Sequence, residues 1–160
     1  MTVTITINYL PANDGLDHIN VYSKGQTFLG RLLSNFAHTP FTCEDGKFAS
    51  IEGYWYWLSI VDKKEREVLR TLHGYEAKEV GRKLRTDQFG DNVDAFKRKI
   101  CKAIKIKIEA HNLDKLLAET DLPLTHYYLY GKKRVEGGGE WIIVFLERLR
   151  TKYKQQIGED

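Results

Sequence analysis

The stretch Ser50-Ile51-Glu52-Gly53-Tyr54-Trp55-Tyr56-Trp57 sets a single carboxylate next to four consecutive aromatic residues. Ser50 has the chemistry of a helix N-cap, which places Glu52 in the first turn, where free backbone N–H groups favour negative charge. The spacing of Trp55, Leu58 and Val61 predicts a helix running to about Val61. A packed core has use for the rings but none for the acid, because glutamate is almost never fully buried without a partner. Rings around a carboxylate can stack a planar group and lift the acid's pKa by desolvation. Trp55 and Trp57 lie about 200° apart on a helix and cannot face one pocket. Periodicity assigns Trp55, with Leu58, to the core and leaves Tyr54 or Trp57 nearer a cleft. The plainer reading of Glu52 is a charge that serves only its own helix terminus.

Upstream, the organised stretch begins at Gly30 and includes Leu33-Ser34-Asn35-Phe36 and Pro40-Phe41. Leu29 to Phe36 reads equally as a loop or a helical turn. Phe41 to Phe48 reads as a hairpin with Asp45-Gly46 at its turn. Thr2 to Tyr9 alternates like a half-buried strand, and Ile19 to Tyr22 is a second short one. Downstream, a charged run from Asp62 to Glu67 leads into Val68, Leu69 and Leu72, and Tyr75 to Leu84 is amphipathic. Val93 to His111 is the longest predicted helix, with Phe96, Ile100, Ile104 and Ile108 as its buried stripe. Lys97, Arg98, Lys99, Lys102, Lys105 and Lys107 read as its solvated face. Leu113 to Glu119 is a short helix and Leu124 to Leu129 a loop or short strand. A last helix runs from Glu140 to about Gln155, with Trp141, Val144, Phe145, Leu149 and Tyr153 inward. The expected fold class is α+β, a single, predominantly helical domain over residues 1–160 with a few short N-terminal strands.

A chain of 160 residues can bury a real core without covalent staples. Its two cysteines, Cys43 and Cys101, have no metal-ligand spacing and suit a reducing cytoplasm. No signal peptide or membrane span is read in the sequence, and the net charge of +3 does not by itself call for nucleic acid.

Taken in order, these residues resemble the NADAR (NAD- and ADP-ribose-associated) superfamily. The resemblance rests on Leu33-Ser34-Asn35-Phe36, Pro40-Phe41, Asp45-Gly46 and Ser50-x-Glu52-x-Tyr54-Trp55. It continues through Ala77, Gly81-Arg82, Lys107 and His111, Leu116-Leu117-Ala118-x-Thr120, Tyr130-Gly131 and Leu149-Arg150. It spans roughly Ile19 to Arg150, and the short form is similar to NADAR-like proteins of large tailed phages, which would place it in the host cytoplasm. The resemblance implies a NADAR-like α+β fold and N-glycosidase chemistry on a ribose C–N bond. Family substrates include riboflavin-pathway intermediates and ADP-ribose attached to guanine. Glu52 falls on the family's motif acid, and Asn35 and Phe36 on its binding loop. The chain departs at Gly53 (usually His), Tyr56 (Gln), Ser59 (Lys) and Tyr130 (Trp), and it lacks an Asp before Tyr130-Gly131. Glu140 stands where an Asn usually opens the last helix.

Cleavage of such a bond passes through an oxocarbenium-like state, so a carboxylate and a stacked leaving base both help. The candidate catalytic residue is Glu52. Candidate substrate-binding residues are Asn35, Phe36, Arg31, Tyr54, Trp57, Arg82, Tyr130, Gly131 and Lys132. The Asn35 amide suits a ribose hydroxyl, and a guanidinium at Arg31 or Arg82 suits phosphate. Glycines and cations between Gly131 and Gly139 suit an anion at a helix start, or simply a mobile loop. His126, set among tyrosines, is a further candidate proton donor. No metal or redox cofactor is called for. The expected partner is an ADP-ribose-like or nucleotide ligand, on ADP-ribosylated nucleic acid in one form, with no membrane; nothing specifies an oligomeric state. The alternative is a degenerate module that binds such a nucleotide, or inhibits a host protein, without catalysis.

Overall fold

In the computed structural model, which describes residues 8–158, the chain builds six helices and three two-stranded sheets. The first sheet pairs β1 (Ile19–Asn20) in parallel with β4 (Leu124–Thr125). The second is an antiparallel hairpin of β2 (Phe41–Cys43) and β3 (Gly46–Phe48), and the third joins β5 (Tyr127–Tyr130) to β6 (Lys133–Glu136). Three of the six strands therefore lie in the last quarter of the chain, not at its N-terminus as expected. The expected Thr2–Tyr9 strand falls on residues 1–7, outside the described residues, apart from Asn8 and Tyr9, which carry no strand.

Between β1 and β2, α1 (Phe28–Leu33) settles the open reading in favour of helix. Thr27 caps it by accepting the Gly30 N–H at 2.9 Å. The β2–β3 turn is made by Glu44 and Asp45, one residue earlier than read, with Gly46 at φ 106° closing it.

The central helix α2 (Ile51–Leu58) starts where Ser50 predicts, and stops three residues before the expected Val61. The Ser50 hydroxyl accepts the Gly53 N–H at 3.0 Å and donates to the Leu72 carbonyl at 2.8 Å, so the cap also ties in a 3-10 segment, Glu65–Thr71. After it come α3 (Gly74–Leu84), α4 (Val93–Ala110), α5 (Leu113–Ala118) and α6 (Glu140–Gly158).

The α4 stripe is buried at Ile100, Ala103, Ile104 and Ile108, and Lys107 is buried with it at 1% exposure. Lys107 is a correction: it sits on the apolar stripe and not on the solvated face. Its Nζ donates to the Ser34 carbonyl at 2.9 Å, and burial pushes its pKa down to about 7. In α6 the inward residues are Leu146, Leu149 and Tyr153, while Val144 is exposed. Among the described residues, no helix is long and apolar enough to cross a membrane.

Candidate functional site

A cavity of about 1130 Å³ opens between α1 and the loop after it, α2, the start of α3, β5 and the start of α6. Glu52 lines it, half-buried. Its backbone N–H is held by the Asn35 carbonyl at 2.9 Å, which fixes the acid against the 34–37 loop. That loop is fixed in turn from beneath by Lys107 on Ser34 and from the side by the Gly74 N–H on the Phe36 carbonyl, 2.9 Å. Burial pushes the Glu52 carboxyl up to about 7, against the opposing pull of Lys78 and Arg82. A group with that pKa exchanges a proton near neutrality.

Helical geometry decides which aromatics share the cavity with Glu52. Trp55 and Tyr56 lie three and four residues on, and both line it. Ile51, Tyr54, Trp57 and Leu58 form the opposite, buried stripe. Tyr54 and Trp57 are therefore corrections: neither faces the cavity. Tyr54 is 1% exposed and donates to Asp45 Oδ2 at 2.6 Å, an acceptor it shares with Lys99 of α4. Trp57 packs on Phe48 and lies under the Arg66 guanidinium, 3.6 Å from the ring centroid. Trp55 is instead a cavity wall, stacked against Trp141 with ring centroids 5.8 Å apart. Taking Trp55 rather than Tyr54 as the core position rotated the helix by one residue.

Asn35, Phe36, Arg31 and Tyr130 all line the cavity. Arg31 is exposed and already gives one guanidinium N–H to the Gly25 carbonyl at 2.9 Å. Arg82 lies outside the lining, yet its charge reaches both Glu52 and the Tyr56 phenol. Gly131 and Lys132 form the β5–β6 turn, away from the lining, because Lys133–Glu136 pairs as a strand and not as a loop. Only Gly138 and Gly139 of that segment reach the cavity, at the start of α6. Glu140 is exposed and also outside it. Lysines 24 and 78 were not among the candidates, yet they are cavity cations. His38, at the rim, stacks on His73 with centroids 4.5 Å apart.

The walls are completed by Tyr75, His126, Tyr128, Ile142 and Ile143. Glu52 is the sole carboxylate among the lining residues. Among the described residues, no group of three His, Cys, Asp or Glu side chains is placed to hold a metal ion. The arrangement can therefore bind a large, partly planar, anionic ligand with one proton-exchanging acid beside it.

Gly53, where the resemblance has His, does not face this cavity. A Cβ there would lie 2.5 Å from the Leu69 carbonyl oxygen, on the side packed by the 3-10 segment. Tyr56, where the resemblance has Gln, does alter the wall. It fits because α3 presents Gly81 to its ring.

No family model and no curated protein matches the sequence. Among solved structures, the NMR structure of the E. coli protein YbiA aligns with a TM-score of 0.66 at 21% identity. The alignment covers 91% of this chain and 93% of that one. At that identity the likeness speaks for the fold, and YbiA is a NADAR-family protein. The architecture reached from the helix spacing and the ordered motifs is thus a NADAR-like α+β fold.

Proposed function

We propose that the chain is an N-glycosidase-type hydrolase acting on an ADP-ribosyl or ribosyl-nucleotide C–N bond, with removal of ADP-ribose from a nucleobase as its fullest form. The observation that carries this reading is Glu52: half-buried in an aromatic cavity, with a pKa of about 7 and cations around it. Breaking the bond leaves positive charge on the sugar and an electron pair on the base nitrogen. A carboxyl group titrating near neutrality can balance the first or protonate the second. Trp55, Phe36 and Trp141 offer apolar faces for the base, and Lys24, Arg31 and Lys78 offer charge for a diphosphate. The Asn35 amide suits a ribose hydroxyl.

The test is to incubate the protein with an oligodeoxynucleotide carrying ADP-ribosylated guanosine and to quantify released ADP-ribose by mass spectrometry. Glu52→Gln is expected to lower turnover by about 100-fold or more. Equal turnover by the two proteins would remove Glu52 from the mechanism.

A second reading, a nucleotide-binding module without turnover, is favoured by the single carboxylate in the lining, since glycoside cleavage commonly employs two. Calorimetry with ADP-ribose separates the two readings: a binding isotherm with no product formed selects the module.

A further inference from the structure

The cavity holds a second proton-handling group that is not a carboxylate. His126 sits in the connection between β4 and β5, with its Nδ1 2.7 Å from the Val21 carbonyl oxygen. A carbonyl oxygen only accepts, so Nδ1 carries the proton. In the neutral ring Nε2 is then an acceptor, and the group it faces is the Tyr128 hydroxyl at 3.1 Å. Tyr128 thus gives its proton to His126, and the lone pairs of its oxygen remain for the cavity, which both residues line.

The ring is held in place. The His126 carbonyl accepts the Gly137 N–H at 2.9 Å, and a Cβ at residue 137 would lie 2.2 Å from the ring, so only glycine admits the imidazole there. Groups facing the pair come from three elements. Glu52 and Tyr56 approach from α2, Tyr22 packs edge-on to Tyr128 with centroids 5.5 Å apart, and Tyr130 follows on β5 at 6.5 Å. Glu52 is the carboxylate among them, and burial raises the Tyr128 phenol, which stays protonated at neutral pH.

We propose that Tyr128 and His126 form the proton-accepting relay of this site. Tyr128 touches the attacking water, and His126 acts through it. The assignment rests on the N-glycosidase reading and divides its labour. Water oxygen forms the new bond to the anomeric carbon as the C–N bond breaks and its electron pair passes to the base nitrogen. That nitrogen takes the proton of Glu52. One water proton moves to the Tyr128 oxygen while the Tyr128 proton moves to Nε2 of His126. The products are the free base, the ribose hemiacetal, a Glu52 carboxylate and a His126 imidazolium held by the Val21 carbonyl. Transfer of one proton from His126 back to Glu52 through cavity water resets the site. The relay supplies the base role for which no second carboxylate lines the cavity.

The experiment uses the same ADP-ribosylated oligonucleotide with wild type, Tyr128→Phe, His126→Asn and Glu52→Gln, with and without sodium azide, across pH. His126→Asn keeps an N–H for the Val21 carbonyl and removes the Nε2 acceptor. Both relay variants are expected to lose about 100-fold in kcat with KM nearly unchanged, and to show a pH–rate profile altered from that of wild type. Azide needs no base, so it should restore them by forming ADP-ribosyl azide and should leave Glu52→Gln slow. Undiminished rates in both variants, or slowed rates that azide does not restore, would overturn the relay while leaving the glycosidase reading in place. A wild type that releases no ADP-ribose removes that reading, and the relay with it.

Discussion

At the scale of single residues, two ionisable groups sit where burial works against their charge, and they do so in opposite senses. The Glu52 carboxyl is raised from 4.5 to about 7. Between those values the folded chain binds more protons than the unfolded one, so this group removes stability as pH rises through the window, up to about 3 kcal/mol. Glu52→Gln should match wild type in melting temperature near pH 4 and exceed it at pH 8, as differential scanning calorimetry would read directly. Lys107 is lowered from 10.5 to about 7. Here the unfolded chain binds more protons between the two values, so stability rises from pH 7 towards 10, by up to about 5 kcal/mol. The stability of Lys107→Met relative to wild type should therefore decline over that range in urea titrations. The role suggested for Glu52 came from residue type: an acid among rings stands out. The burial of Lys107 was hidden by residue type, since a lysine among lysines reads as solvated. Its position gave the contrary signal, three and four residues from the buried Ile104 and Ala103.

At the scale of elements, α2 shows what a sequence specifies well and what it leaves loose. Its start was legible because Ser50 is a chemical instruction, and the cap is made as read. Its rotation was not, because aromatic residues at 54, 55, 56 and 57 satisfy a core stripe in more than one phase. Counting from Glu52 instead selects 55 and 56, the two rings that do share its cavity. Ser50→Ala removes an acceptor for Gly53 and a donor to Leu72 together, and should cost about 1–2 kcal/mol in chemical denaturation. The approach of α3 to α2 rests on Gly81, where a Cβ would lie 2.1 Å from the Tyr56 ring. Gly81→Ala should destabilise by about 1–3 kcal/mol and, by moving Tyr56, weaken the proposed nucleotide binding in calorimetry. The β5–β6 hairpin escaped the sequence reading because glycines and lysines at its turn and flank resemble a loop, whereas pairing partners 127 and 136 are fixed by the tertiary fold.

At the scale of the whole molecule, the two perturbed groups meet at one pH. Glu52 withdraws stability up to about 7 and Lys107 returns it above 7. Their combined contribution is lowest near neutrality, where the site would work. The double variant Glu52→Gln, Lys107→Met should lack this dip when its stability is compared with wild type from pH 4 to 10. Keeping an acid at the cavity and an amine in the core beneath it out of water carries such a cost in the resting protein. The class of the fold was legible because helix periodicity extends over long segments and the motif order spans most of the chain. The cavity itself was less so, since its walls come from segments far apart in sequence.

The pairing of β1 with β4 joins residues 105 positions apart. Most of the polypeptide must have left the ribosome before that seam can close, and closing so wide a loop is slow compared with forming the helices. The proposed nucleotide capture should then emerge as the last event of refolding, later than the recovery of helical dichroism, so that a ligand added early would find nothing to hold it.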